Sequence, residues 1–298
     1  MNASSAAVTA EKVRIGTCAW SFEDWRGVFF PEHLAASHRL EFYARFFGCV
    51  EVDSTFYGAL SPRTARHWRE ITPGDFVFTV KMPRQITHDH KLREVEALTE
   101  RFLAGIEPLQ PKLGCVLVQL PPYFVLQHDE RPLRDFLHRL LRFPGVRFAL
   151  EFRHPSWHLP RITHLLEEHR VCWVWSDMSC LEQSEQGAFE FLPQTTDFLY
   201  LRLLGDVATK YAGDGSRRFK YRGLLWPREH ALESWALRIE AKIAQTKTAF
   251  VLANNHFEGF APQTCLRVAA RFGKPMELPG PDQLKGREVA TARQMDLF

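Results

Sequence analysis

The 298-residue chain has no apolar run of membrane-spanning length, which takes about 20 consecutive residues. Its first twelve residues are small and polar, with neither the basic start nor the apolar stretch of a signal peptide. Six cysteines stand at positions 18, 49, 115, 172, 180 and 265, and none forms a CxxC pair. A zinc or disulfide framework is therefore not expected, and buried free thiols are. No dinucleotide fingerprint follows the first strand-like run, because Gly16-Thr17-Cys18-Ala19-Trp20 holds one glycine. The net charge of +3 is too small to imply a polyanionic partner by itself. No internal repeat and no linker divides the chain. These absences lead to the expectation of a cytoplasmic, single-domain protein with no membrane partner.

What is present is a heavy aromatic load, 24 Phe and 8 Trp, enough to build a large core. Short apolar, β-branched or aromatic runs recur at residues 13–19, 49–54, 75–80, 115–120, 147–152, 171–176, 197–203 and 248–253. Several are almost continuously apolar, as strands covered on both faces must be. Helical spacing fills the gaps: Leu40, Tyr43, Ala44 and Phe47 share a face, as do Leu133, Phe136, Leu137, Leu140 and Leu141, and Leu232, Trp235, Ile239 and Ile243. Ser61-Pro62 reads as a cap followed by a first-turn proline, and Trp226-Pro227 offers the proline alone. Strand alternating with helix implies a parallel sheet, and eight such units favour closure. The fold expected is α/β, a (β/α)8 TIM-type barrel over residues 13–278, with a disordered segment 1–12 before it and a polar tail 279–298 after it. The crossover at 179–196 has little helical pattern and is expected to be irregular.

In such barrels the site lies at the C-terminal ends of the strands. That rule selects Glu51, Glu151 and His88 as candidate catalytic groups. It selects Trp20, Trp25, Tyr57, Lys81, Gln119, Arg153, His154, Trp157, Asp177, Arg202, Asn254, Asn255 and His256 as candidate substrate-binding groups. Charges inside apolar strands must meet a partner or a ligand, because burying them alone costs several kcal/mol. They either plug the barrel as mutual ion pairs or hold an anionic, hydroxyl-rich, partly planar ligand. Arg153 and Arg202 suit bidentate phosphate binding, helped by the backbone near Gly259, where Ala261-Pro262 opens a helix. Trp20, Trp25 and Trp157 either stack on a sugar or base or pack over the rim. After the seventh strand, Lys210-Tyr211 and residues 217–222 (RRFKYR) interleave basic and aromatic groups, as single-strand-binding surfaces do, although a solvated loop reads the same way. No cofactor is predicted. A divalent metal stays open, with His88, His90, Glu51, Glu151, Asp177 and His256 as candidate ligands, although the neighbouring Lys and Arg residues oppose a dense metal cluster.

Several segments resemble a known family. They are residues 15–17 (IGT) with Trp20-Ser21 and residues 24–27 (DWRG), residues 51–57 (EVDSTFY), and residues 80–88 with a lysine-proline and Thr-His pattern. Residues 113–122 (LGCVLVQLPP), 150–157 (LEFRHPSW), 200–205 and Asn254-Asn255-His256 with Gly259 complete the set. Together they resemble the YecE-like family, also called domain of unknown function 72. Asp53 stands where Asn is common, and Leu204 replaces the usual His before Gly205. The resemblance implies a TIM-type barrel of unestablished activity, with a fold-level likeness to apurinic endonucleases and xylose-isomerase-type enzymes.

Three functions are compatible with these residues. The first is a nucleic-acid-associated hydrolase of phosphodiester or glycosidic bonds, with Lys81, Arg153 and Arg202 on the anion and Glu51, Glu151 or His88 moving the proton. The second is an isomerase or hydrolase of sugars or sugar phosphates. The third is a non-catalytic module for nucleic acid or protein. The last five residues, Gln294, Met295, Asp296, Leu297 and Phe298, resemble the pentapeptide that docks on the bacterial DNA sliding clamp, and that clamp is the expected protein partner.

Overall fold

A computed structural model describes residues 10–178, 191–205 and 219–285. Eight parallel strands close into a barrel in chain order. They are β1 (Val13–Cys18), β2 (Cys49–Val52), β3 (Val77–Lys81), β4 (Leu113–Gln119), β5 (Phe148–Glu151), β6 (Val171–Asp177), β7 (Phe198–Leu203) and β8 (Thr248–Ala253). The helices around them are α1 (Arg39–Tyr43), α2 (Pro62–Glu70), α3 (Glu96–Ile106), α4 (Leu126–Leu140), α5 (Pro160–Glu168), α6 (Glu229–Ile243), α7 (Asn255–Glu258), α8 (Ala261–Arg271) and α9 (Pro281–Leu284). Among the described residues no helix is long and apolar enough to cross a membrane. Ser61 caps α2 as its sequence suggests, accepting from Thr64 N at 3.1 Å. Pro227 lies two residues ahead of α6 instead of opening it, and Leu141 falls just past α4 with 47% of its surface exposed. Residues 10–12 of the leading segment form a helical turn, and Lys12 Nζ holds it by donating to Ile243 O at 3.0 Å. Between β6 and β7, residues 191–195 have no regular structure.

Alternation along the strands sends one set of side chains outward to the helices and the other into the barrel. The outward set joins the large core with Trp25, Phe29, Phe30, Trp157 and Trp235. The inward set has two chemical layers. Toward the N-terminal ends lie Cys49, Cys115, Cys172, Ala149, Phe198 and Phe250, which fill the narrow lumen with small and aromatic groups. Burial raises the Cys49 and Cys172 thiols to about 12 and pushes those of Cys18, Cys115 and Cys265 well above the ordinary thiol value. All five stay protonated at neutral pH and act as small apolar groups. Close approach of β1 and β2 explains Gly16, where a Cβ would stand 2.1 Å from Cys49 O. Toward the C-terminal ends the inward set turns polar, at Glu51, Thr79, Lys81, Gln119, Glu151, Ser176, Tyr200 and Arg202. All of these are buried.

Candidate functional site

Arg202 is the hub of this polar layer. Its Nε and Nη2 donate to Glu51 Oε2 and Oε1 at 3.0 and 2.6 Å, and its Nη1 donates to Glu151 Oε2 at 2.5 Å. Arg153 Nε donates to the other oxygen of Glu151 at 2.7 Å. Tyr200 OH donates to Glu51 Oε2 at 2.8 Å and lies 2.7 Å from Thr79 Oγ1, which supports it from below. The result is a chain of alternating charge, Glu51–Arg202–Glu151–Arg153, in which both carboxylates have no exposed surface. Burial opposes ionisation of Glu151, but Arg202 and Arg153 together outweigh it and bring its carboxyl down to about 2. The three donors of Arg202 that face the carboxylates are thus occupied, and the residue is buried. This corrects the expectation that Arg202 clasps phosphate: its fork is already closed on two carboxylates. It also corrects the general acid role for Glu151, because a group held at about 2 carries no proton to deliver at neutral pH.

A second cluster lies over β3 and β4. Lys81 Nζ pairs with Asp53 Oδ1 at 3.0 Å and sits 3.9 Å from the Phe56 ring centroid. After β3 the chain makes one turn of π-helix, Gln85–Asp89, an unusual conformation that often marks a functional position. It presents His88 beside Gln119. His88 Nδ1 lies 2.8 Å from Thr87 Oγ1, and Thr87 Oγ1 lies 3.3 Å from Pro83 O, which can only accept. With the Thr87 hydroxyl donating to Pro83, Nδ1 carries the ring proton and Nε2 presents its lone pair toward Gln119 Nε2, 3.5 Å away. Burial first, then Lys81, Arg153 and Arg84, lower the His88 imidazolium to about 4. Three non-glycine residues just beyond, Lys91, Leu92 and Glu94, have left-handed backbones, so strain is stored against this turn. Arg93, between them, braces the loop by donating to Asp129 Oδ1 at 2.7 Å. Arg153 reaches the same cluster. Its side chain is 22% exposed, and among the described residues its Nη1 and Nη2 have no hydrogen-bond partner.

The remaining candidates disperse. Trp25 and Trp157 are fully buried and stack on nothing from solvent, contrary to expectation. Trp157 lies between Phe124 and Phe152 with Nε1 donating to Phe124 O, and Trp25 Nε1 donates to Asn255 Oδ1. Trp20 is partly buried, edge-on to Trp68 at 5.0 Å. Asn255 is buried, and its Oδ1 also accepts from Ala261 N at 3.0 Å. That bond, with Leu225 packed against Gly259, covers the start of α8, so the expected phosphate cradle there is not open. Asp177 faces the helix layer and accepts from Trp235 Nε1 at 2.6 Å. Asn254 caps α7 by accepting from His256 N, and His256 Nδ1 lies 2.6 Å from Tyr221 OH. His154 caps a turn by accepting from Ser156 N. Among the described residues, no three His, Cys, Asp or Glu side chains gather into a group able to hold a metal ion. Lys210, Tyr211, Arg217, Arg218 and the terminal peptide Gln294 to Phe298 lie outside the described residues.

Tyr200 and Phe56 fall inside the quoted motifs, but neither they nor Tyr123 stood among the candidate site residues. Tyr200 had a usable signal, since Phe198, Tyr200 and Arg202 alternate on one face of β7. Phe56 and Tyr123 sit in loops, where periodicity gives no guide.

A family model described as "Protein of unknown function DUF72" matches residues 14–286. The UPF0759 protein YecE of Escherichia coli (strain K12) is 35% identical over 145 residues, 48% of this chain and 49% of that one, so the match spans about half of that relative. The UPF0759 protein YunF of Bacillus subtilis is 28% identical over 262 residues, 84% of this chain and 90% of that one. Among solved structures, a DUF72 family protein from Thermotoga maritima superposes with a TM-score of 0.69 at 28% identity, covering 88% of this chain and 99% of that one. Another, from Enterococcus faecalis, has the same fold, with a TM-score of 0.69 at 19% identity over 90% of this chain and 98% of that one. With the family model spanning strands β1 through β8 and helix α9 besides, the chain belongs to the DUF72 family of TIM-type barrels.

Proposed function

We propose that the rim over β2 to β5 binds a phosphodiester and hydrolyses it, with His88 as the proton acceptor. One observation carries this reading: His88, lowered to about 4 by burial first and then by Lys81, Arg153 and Arg84, stands as a neutral imidazole among those three cations. Nε2 takes a proton from water, the water oxygen bonds to phosphorus, and the ester oxygen leaves with its electron pair and takes the proton back from the His88 imidazolium. Lys81 and Arg153 face the charge that grows on the phosphoryl oxygens. The glycosidic alternative is less well supported. It needs one carboxyl kept protonated as general acid, and Glu151 is held at about 2. The sugar reading also loses two of its three indoles, since Trp25 and Trp157 lie in the core.

The test is a panel of phosphomonoesters, phosphodiesters and aryl glycosides, assayed with and without added divalent metal. Turnover of phosphodiesters alone is expected, and turnover of glycosides alone would end the reading. The terminal peptide extends the proposal: Gln294, Met295, Leu297 and Phe298 dock the chain on the DNA sliding clamp. Calorimetry against purified clamp should then show binding by the full chain and none by a chain ending at residue 293. Equal heats from both would rule docking out.

A further inference from the structure

A row of four rings crosses the rim from the loop after β2 to the loop after β4. Tyr57 meets Phe56 at 5.1 Å, Phe56 meets His88 at 4.9 Å, and His88 meets Tyr123 at 6.5 Å, each edge to face. The inner pair is partly buried, whereas the two ends stand in solvent, Tyr57 80% and Tyr123 51% exposed. Cations sit against the row. Lys81 lies over Phe56, and Lys91 Nζ stands 5.0 Å from the centroid of Tyr123. The strained residues 91, 92 and 94 fix the loop that carries Lys91. Two exposed tyrosines on either side of a cationic pocket make no core, and neither hydroxyl is drawn into a hydrogen bond among the described residues. Such a surface suits a ligand with flat faces at two points and negative charge between them. Base pairs in a duplex stack on one another and offer no free faces, whereas unpaired bases can splay onto aromatic side chains.

We propose that the substrate is single-stranded nucleic acid, with bases stacked on Tyr57 and Tyr123 and an intervening phosphate held by Lys81 and Arg153 beside the neutral His88. This deepens the phosphodiester reading and rests on it. The two tyrosines are subsites for binding and take no part in bond cleavage.

The experiment measures binding of a fluorescent oligothymidylate of roughly ten nucleotides, within the span of one single-strand site, and of the same length as duplex. Tyr57→Ala and Tyr123→Ala are each expected to weaken single-strand binding by about tenfold, while Tyr57→Phe and Tyr123→Phe, which keep the ring, stay within about twofold. The duplex should bind about tenfold or more weaker than the single strand. Affinity should fall with salt with a logarithmic slope of about −0.7, as one neutralised phosphate on a single strand requires. Both tyrosines are exposed, so the variants are expected to fold, and circular dichroism checks it. In parallel, inorganic phosphate is titrated while the His88 ring is followed by NMR. If phosphate shifts His88 but the alanine variants bind the oligonucleotide as the unaltered protein does, or the duplex binds equally well, the single-strand proposal is overturned and the phosphate site stands. If phosphate leaves His88 unmoved, the phosphodiester reading falls and this proposal with it.

Discussion

Arg202→Ala is expected to lower stability by about 3–5 kcal/mol, the usual result of stripping the partner from buried charges. The substitution leaves Glu51 and Glu151 with no exposed surface and without the guanidinium that both share. Tyr200 OH can still serve Glu51, and Arg153 can still serve Glu151, so the layer is weakened and not emptied. The pH dependence gives a sharper check than the size of the effect. In the unaltered protein Glu151 sits at about 2 against an ordinary 4.5, so its ionisation stabilises the fold fully above 4.5 and less as the pH falls toward 2. In Arg202→Ala, burial acts on the Glu151 carboxyl with less opposition and pushes it upward. Its protonation then relieves the fold, and the gap between variant and unaltered protein narrows as pH drops from 7 to about 4.5. Urea unfolding at the two pH values measures this. A variant within about 1 kcal/mol of the unaltered protein at pH 7 would show that the network is not the keystone described.

His88→Ala is expected to reduce phosphodiester turnover by about 10²- to 10⁴-fold, the range for removing a positioned general base, with little change in melting temperature because the ring is half-buried. The sign of the pH effect follows from the cations around it. Because Lys81, Arg153 and Arg84 add to the effect of burial, the free enzyme's base is present down to about 4. The acid limb of kcat/KM is therefore expected near 4, well below the 6.5 of an unperturbed histidine. Bound phosphodiester brings negative charge to the same place, so the limb of kcat should lie above that of kcat/KM. An acid limb of kcat/KM at 6.5, or an active His88→Ala, would remove His88 from the reaction.

The barrel was legible because its strands are apolar on both faces, which only a covered parallel sheet explains, and because helix-spaced leucines and aromatics such as Leu133, Phe136 and Leu137 fill the intervals. The rim was legible as a set of positions, since Glu51, Lys81, Gln119 and Glu151 interrupt those strands at their ends. Their roles were not legible. Nothing in one sequence says that the Arg202 fork is closed by Glu51 on one side and Glu151 on the other, because that depends on the geometry of three strands at once. Trp25 and Trp157 misled for a related reason: an indole beside a strand end packs inward as readily as it faces a ligand, and the choice lies with Phe124, Phe152 and Asn255, which are distant in sequence. His88 was found, but its lowered basicity comes first from burial and then from Lys81, Arg153 and Arg84, which only the folded rim brings around the ring.

The span of the Arg202 contacts bears on how the chain acquires its site. Arg202 joins a residue 151 positions before it to one 51 positions before it, so three segments must be in place together before the charges leave water. Loop closure over such distances is slow, and dehydrating a carboxylate ahead of its partner is uphill. Nascent chain that has emerged only through residue 153, just past β5, already holds every ring and cation of the rim cluster, yet it lacks the counterion that lets Glu51 and Glu151 be enclosed. Enclosure of the two carboxylates is thus tied to synthesis through β7, and a fragment released early has the residues of the rim without the counterion that closes the polar layer.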